Sequence, residues 1–341
     1  MNRSLNAPLS PHSTLGVGGC ARELWTVTQD ADIVDALRIE PNAFILGGGS
    51  NVVFSDAPYP GIVLHMATRG MHVSELGDSL LYDVAAGEPW ADFVARTLAD
   101  GCQGLECLSG IPGTVGATPI QNVGAYGREV SEFIRDVVVI DRVTGKQRVV
   151  ANEACGFSYR MSDFKRTPSS VVTRVRFVLR RSTLSLPLLY KELANAMGAS
   201  TALASRVRDT VIALRRNKGM VLDARDPESR SVGSFFMNPT VDAATADAVA
   251  ARVPGVQMPR YPAADDRVKL AAGWLVERAG CSKGEALGGA RISRKHALAL
   301  VNDGTATAAD ITALARSIRD RVHTAFGVTL EPEPVFVGHK L

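Results

Sequence analysis

Apolar and polar positions along the chain fall into short blocks, and the blocks switch between two periodicities. Residues 24–27 form an apolar run, residues 31–38 (ADIVDALR) carry apolar side chains at helical spacing, and residues 43–46 form a second run ending in Gly47-Gly48-Gly49-Ser50-Asn51. This order predicts strand, helix, strand, loop, after which VVFSD from Val52 resumes strand character. Residues 80–86 predict another strand. Trp90, Phe93, Val94 and Leu98 then share one helical face that ends at Gly101. Further on, residues 137–140 and 147–150 flank Thr144-Gly145 and predict a hairpin, while residues 171–179 alternate Val, Phe and Leu with Arg174 and Arg176. Residues 182–216 hold a Ser/Leu/Pro loop and two helical patterns. Three Ala-rich helical stretches follow, the last placing Ile311, Leu314, Ile318, Val322 and Phe326 near helical spacing. Antiparallel strands mixed with helices predict an α+β chain with its main boundary near residue 215, and no internal repeat is visible.

Composition narrows the classes. A chain of 341 residues exceeds one ordinary domain and predicts two or three. Its 46% hydrophobic and 21% charged residues are those of a folded protein. Thirty-eight basic against thirty-five acidic residues give a charge of +3, and no basic run exceeds two residues, which argues against nucleic acid as a partner. The five cysteines, at 20, 102, 107, 155 and 281, are scattered without a C-x-x-C pair, so neither a disulfide framework nor a metal site is expected. No signal pattern opens the chain and no eighteen apolar residues run together. The expectation is a cytoplasmic protein with no membrane partner.

Candidate chemistry begins in two glycine-rich segments. LSGIPGTVGATPIQNVGAYG, residues 108–127, sets Gly110, Gly113, Gly116, Gly124 and Gly127 around Pro112, Gln121, Asn122 and Tyr126. Backbone without side chains can turn its amides onto a phosphate or a planar ring. Ile111, Val115 and Ile120 recur among the glycines, which points to a packed segment rather than a floppy surface loop. The loop at 47–51 is also a place where phosphate can meet backbone, yet neither segment is a G-x-G-x-x-G fingerprint or carries a Walker lysine. Three further groups stand out. Tyr159-Arg160 offers a planar guanidinium for a carboxylate, or else a surface Arg paired with Asp163. Gly233-Ser234-Phe235-Phe236 holds a serine between glycine and two aromatics, where it serves as a turn residue or as a proton donor; it is not a G-x-S-x-G nucleophile elbow. Glu331-Pro332-Glu333 sets two carboxylates in extended chain, as a site or as a solvated acidic edge.

Taken in order, LGGGSNVVFSD, LSGIPGTVGATPIQNVGAYG, CGFSYR, GSFFMNP and LEPEPV resemble the UDP-N-acetylenolpyruvoylglucosamine reductase family over residues 14 to 338, and the stretch 186–190 resembles its first type. The resemblance implies a vanillyl-alcohol-oxidase-like FAD-binding domain over 14–182, with two subdomains meeting near residue 70. A tyrosine loop and helical connector would follow over 183–215, then a C-terminal α+β substrate domain over 216–330 and a last strand, 331–341, carrying a catalytic glutamate. It further implies that FAD is bound by Gly47, Gly48, Gly49, Ser50 and Asn51, by Ser109, Gly110, Ile111, Pro112, Gly113, Thr114, Gly116 and Ala117, and by Gln121, Asn122, Gly124, Ala125, Tyr126 and Gly127. NADPH would be the reductant and UDP-N-acetylglucosamine enolpyruvate the small-molecule substrate, in peptidoglycan precursor synthesis. Arg160 and Glu333 would polarise the substrate carboxylate and Ser234 would give a proton to its α carbon. Tyr159, Tyr190, Lys218, Asn238 and His296 would hold the substrate. Two positions depart from the family pattern, with Met237 where many members have Lys and His296 where some have Gln.

Overall fold

A computed structural model describes all 341 residues, Met1–Leu341. The chain divides into two compact units that are interleaved in sequence. Met1–Ala7, Ala21–Gly49 and Pro60–Asn217 make the first, and Pro8–Cys20, Ser50–Tyr59 and Lys218–Leu341 make the second. The contiguous division expected from sequence therefore differs from the observed one at two early segments and at residues 183–217, which cluster with the first unit.

The first unit contains two larger sheets and a two-stranded hairpin. One has the strand order Asn2–Pro8, Cys20–Val27, Tyr59–Met66, Phe44–Leu46, and the helix Asp30–Ile39 supplies Ile33, Ala36 and Leu37 to a core with Trp25, Val27 and Leu64. Phe44–Leu46 runs parallel to residues 63–65, so its carboxyl end delivers the chain into the glycine run at 47. The other sheet is antiparallel, in the order Gln147–Ala151, Ile134–Asp141, Ser170–Arg180, Ser79–Ala85, Met71–Leu76. The alternation seen in its sequence has a direct physical outcome. Tyr82, Val175 and Phe177 are buried against Trp90 and Phe93 of the helix Trp90–Ala99, and Phe93 and Phe177 have ring centroids 4.8 Å apart. The intervening Arg174 and Arg176 lie on the opposite side, where both pair with Asp83 and Arg176 also reaches Asp136 at 3.4 Å.

In the second unit an antiparallel sheet runs Ser231–Ser234, Ala299–Asn302, Ala290–Ile292, Ala286–Leu287. It shares one core with the helix Ala308–Phe326, whose Ile311, Leu314, Ile318, Val322 and Phe326 are all buried, as their spacing predicts. Thr307 caps that helix by accepting from the Asp310 amide at 3.1 Å, and Gly327 closes it in the left-handed conformation.

Segment 50–59 joins this unit through a strand pairing and a helix cap, among other contacts. Val52–Phe54 pairs in parallel with Val335–Val337, and the Asp56 carboxylate accepts from the amides of Ala308 and Ala309 at 2.8 and 2.9 Å. A carboxylate on the first amides of a nineteen-residue helix satisfies donors that have no intrahelical partner and offsets the positive end of its dipole. Asp56→Ala is therefore expected to lower stability by about 1–2 kcal/mol. Urea unfolding checks this, and an unchanged midpoint would remove the anchoring role of Asp56.

Candidate active site

In the first unit the two glycine-rich segments touch. A Cβ added to Gly47 would meet Thr114 Oγ1 at 2.7 Å, and one added to Gly48 would meet Gly113 Cα at 2.7 Å. A side chain at 48 is excluded because backbone packs on backbone at that point, and one at 47 would press on the Thr114 side chain. The second segment is also bound down to the main sheet. Trp90 donates its amide to Gly113 O and its indole to Leu108 O, both at 3.0 Å, and the amides of Val115 and Gly116 reach Glu88 O and Ala86 O at 2.8 Å. Val115 is fully buried, and Ile111 and Ile120 pack against the same core, so the segment is packed as its apolar positions suggest.

These residues can be tested for a fit to a bound cofactor. Ser109 Oγ is buried with no hydrogen-bond partner, although a hydroxyl in that position normally finds one. An unsatisfied hydroxyl beside a cradle that only glycine can line fits a ligand offering hydrogen-bonding edges to main chain. Asn122 is different. Its side-chain amide donates to Glu129 Oε2 at 2.8 Å and to Ser158 O at 3.1 Å, and its oxygen accepts from the Ser131 amide at 3.2 Å. That side chain holds the loop in place rather than offering itself to a ligand. The residues Gly124-Ala125 and Arg128-Glu129 form a tight hairpin with Tyr126 and Gly127 at φ 51° and 82°, the geometry of a two-residue primed turn.

Arg160 sits next to this hairpin. It occupies the left-handed region at φ 55° in the turn closed by Ser158 and Met161, and its Nη2 donates to Gly124 O at 2.6 Å. Its guanidinium lies 5.2 Å from the Tyr159 ring centroid. Asp163 pairs instead with Arg166 at 2.5 Å, and Lys165 reaches Arg160 O at 3.3 Å, so the surface pair open in the sequence belongs to another arginine. Residues 183–217 dock on the same hairpin: Tyr190 stands edge-on to Tyr126 with ring centroids 5.4 Å apart, and Leu188, Leu193, Val207 and Val211 bury Tyr126 and Cys107. Burial pushes the Tyr126 phenol up to about 12 and lowers the Arg215 guanidinium to about 10, the latter opposed by Tyr126.

Sequence reasoning passed over Arg215. The signal was present, because Val207, Val211 and Arg215 recur at four-residue spacing, which places a cation on the apolar face of the helix Ala204–Asn217.

In the second unit three motifs distant in sequence lie together. Phe236 bridges Pro332, the Met237 amide donates to Glu331 O at 2.9 Å, and the Glu333 amide donates to Phe235 O at 2.8 Å. The Asn51 side chain donates to Glu333 O at 3.3 Å while its carbonyl accepts from the Val335 amide at 3.0 Å. Ser234, Glu333 and Asn51 thus share one edge, with Phe235 and Phe236 buried behind it. Ser234 Oγ lies 3.5 Å from His296 Nε2. Asn238 Oδ1 accepts from the Ala272 amide at 2.9 Å, so its oxygen serves the start of a helix. Lys218, half-buried, is the first residue of this unit after the Ala204–Asn217 helix. Gly47, Gly48 and Gly49 belong to the first unit, and Ser50 and Asn51 to the second. No group of His, Cys, Asp or Glu has the makings of a metal site, and no helix is long and apolar enough to cross a membrane.

Comparison with known proteins shows two family matches. Residues 25–150 match an FAD binding domain and residues 226–337 match the C-terminal domain of UDP-N-acetylenolpyruvoylglucosamine reductase. The chain is 47% identical to the UDP-N-acetylenolpyruvoylglucosamine reductase of Streptomyces coelicolor, covering 98% of this chain and 90% of that one. It is 50% identical to the reductase of Mycolicibacterium gilvum over 98% and 96%. The crystal structure of the Thermus caldophilus enzyme covers 98% of both chains with 28% identity and a TM-score of 0.68.

The glycine contact yields a test. Gly48→Ala forces the two loops apart and is expected to raise the dissociation constant for FAD at least about tenfold while far-UV circular dichroism stays native; each 1.4 kcal/mol of lost contact is a factor of ten. Undiminished FAD affinity by fluorescence titration would mean that the cradle is not the binding surface.

Proposed function

The chain belongs to the UDP-N-acetylenolpyruvoylglucosamine reductase family and is an oxidoreductase with an FAD-binding domain, and from that premise we propose that it uses NADPH to reduce the enolpyruvyl group of UDP-N-acetylglucosamine enolpyruvate. The product is UDP-N-acetylmuramate, a peptidoglycan precursor, made in the cytoplasm. The observation that carries this reading is the shared edge of Ser234 and Glu333, set by the Phe236–Pro332 bridge and braced by Asn51. A flavin fold alone does not require a serine and a glutamate on adjoining extended segments.

In this reading the cradle of Gly47, Gly48, Gly49, Ser109, Gly110, Ile111, Pro112, Gly113, Thr114, Gly116 and Ala117 holds FAD, together with Ser50, Asn51, Gln121 and the backbone of residues 122–127. Bound there, FAD would supply the two-electron chemistry that links NADPH oxidation to reduction of the enolpyruvyl β carbon. Negative charge then develops on the substrate carboxylate. Arg160 is suited to meet it, because a guanidinium keeps its charge at neutral pH and its fork matches a carboxylate. Glu333 shares in polarising that carboxylate. Ser234 gives its proton to the α carbon; a hydroxyl is a weak acid, but the carbanionic enolate it faces is a strong base. Tyr159, Tyr190, Lys218 and Asn238 hold the UDP and sugar portions, with Asn238 acting through its NH2 group.

Anaerobic spectrophotometry tests the proposal. NADPH is expected to bleach the bound flavin, and UDP-N-acetylglucosamine enolpyruvate to restore its yellow colour with one NADPH consumed per substrate. A protein that takes up no FAD, or one whose reduced flavin ignores the enolpyruvyl sugar, contradicts it.

A further inference from the structure

Ser234 has one neighbour whose role as a substrate ligand the geometry does not explain. His296 Nε2 lies 3.5 Å from Ser234 Oγ in a half-buried setting, and both residues adjoin the strand Ala299–Asn302. Ser234 sits opposite Ala299 in the sheet, and the next amide, that of Phe235, donates to Leu298 O at 2.7 Å. His296 lies in the turn between Ser293 and Ala299, closed by the Ala299 amide on His296 O at 3.1 Å and the Ser293 amide on Ala299 O at 2.8 Å. The main chain therefore fixes the approach of the imidazole to the hydroxyl.

The turn has a second anchor in Glu228. Its buried carboxylate accepts from Arg291 Nη1 at 2.6 Å, Ser293 Oγ at 2.6 Å and the Arg294 amide at 2.8 Å. The Lys295 amide then donates to Ser293 Oγ at 3.1 Å, and Lys295 Nζ reaches Asp226 at 2.7 Å. Every residue from 293 to 295 that leads to His296 is thus tied down. Burial alone pushes the Glu228 carboxyl up, but the Ser293 hydroxyl, the Arg291 guanidinium and the Arg294 amide outweigh it and hold the group below the ordinary glutamate range. It stays a carboxylate and keeps all three donors. A buried charge of this kind, spent wholly on a turn, is an unusual outlay for a surface hairpin.

We infer that His296 returns a proton to Ser234 after each turnover, and that Glu228 positions the turn that carries it. The inference rests on the role of Ser234 proposed above. When Ser234 protonates the α carbon, its O–H bond breaks and a C–H bond forms, leaving an alkoxide in a half-buried place. The Nε2–H bond of the His296 imidazolium then breaks, the Ser234 O–H bond re-forms, and the neutral ring takes up from solvent the one proton that each reduction consumes. No electrons move in these steps beyond the hydride that the reductase reaction already supplies. Histidine suits the task because its ordinary pKa, about 6.5, lets it give and take protons near neutrality. An apo distance of 3.5 Å is long for a hydrogen bond, but donor–base contacts shorten when substrate binds.

Steady-state turnover, set beside stopped-flow mixing of pre-reduced holoenzyme with UDP-N-acetylglucosamine enolpyruvate, tests the relay. His296→Ala is expected to lower steady-state kcat by about 100-fold, while the first flavin reoxidation, which begins with Ser234 already protonated, stays within about twofold of the wild-type rate. Flavin reduction by NADPH and the KM for the enolpyruvyl sugar are expected to stay within about twofold, and added imidazole to restore much of the lost rate. Glu228→Gln, a second and milder variant, is expected to lower steady-state kcat about tenfold, in line with a displaced donor. A readout independent of turnover is the ring-nitrogen NMR signal of His296, which Ser234→Ala is expected to shift. Full steady-state turnover in His296→Ala, a first reoxidation slowed as much as kcat, a loss confined to KM, a slow variant that imidazole does not rescue, or an unmoved NMR signal would each overturn the relay. If wild-type reduced flavin is not reoxidised by the sugar, the proposed function fails instead, and the NMR comparison still reports on the His296–Ser234 contact.

Discussion

The parallel pairing of Val52–Phe54 with Val335–Val337 is the constraint on which the second unit depends. It joins segments nearly the full chain length apart, so its loop-closure entropy must be met by other contacts. Those contacts are visible: Val53 enters the core with Phe235 and Leu330, Asp56 caps the Ala308–Phe326 helix, and Asn51 brackets Glu333 through its side chain and carbonyl. Because Glu333 precedes Val335 by two residues, fixing the register of that strand also fixes the main chain of Glu333 against the Phe235 carbonyl, one residue from Ser234. Short extended pieces bound on both sides in this way hold their positions precisely.

The first unit reaches its precision by a different route. Gly48 lies too close to the Gly113 backbone for any Cβ, Gly47 faces the Thr114 side chain, and the second of these loops is hydrogen-bonded to Ala86, Glu88 and Trp90. Strand, helix and both loops are thus tied to one another. Asn122 and the positive-φ residues Tyr126 and Arg160 carry the local strain of that arrangement. Burial of the Tyr126 ring by the 183–217 segment keeps the hairpin in place.

Much of this was legible in the residues. The alternation at 171–179 gave a strand with one buried face, the spacing from Ile311 to Phe326 gave a helix, and the order of five short motifs pointed to the family. Periodicity does not report which segments share a unit, so residues 8–20 and 50–59 were read with their sequence neighbours; only long-range strand pairing reveals that they lie with the C-terminal half. Side-chain function was legible by residue type but not by partner. Asn122 and Asn238 looked like ligand groups, yet amides bond main chain as readily, and here Asn122 is wholly and Asn238 partly engaged in that way. Glu228 attracted no notice because nothing near it in sequence marks it; its donors come from residues 291 to 294. His296 was seen as a departure from a pattern, and only the fold shows that its neighbour is Ser234.

The central claim is that Ser234 delivers the proton that completes reduction. The most direct test is to follow both half-reactions of Ser234→Ala in one stopped-flow experiment. NADPH should reduce its flavin at the wild-type rate, while reoxidation by the enolpyruvyl sugar should fall by at least about 100-fold, the usual contribution of a positioned acid. Reoxidation at the wild-type rate in that variant would contradict the account.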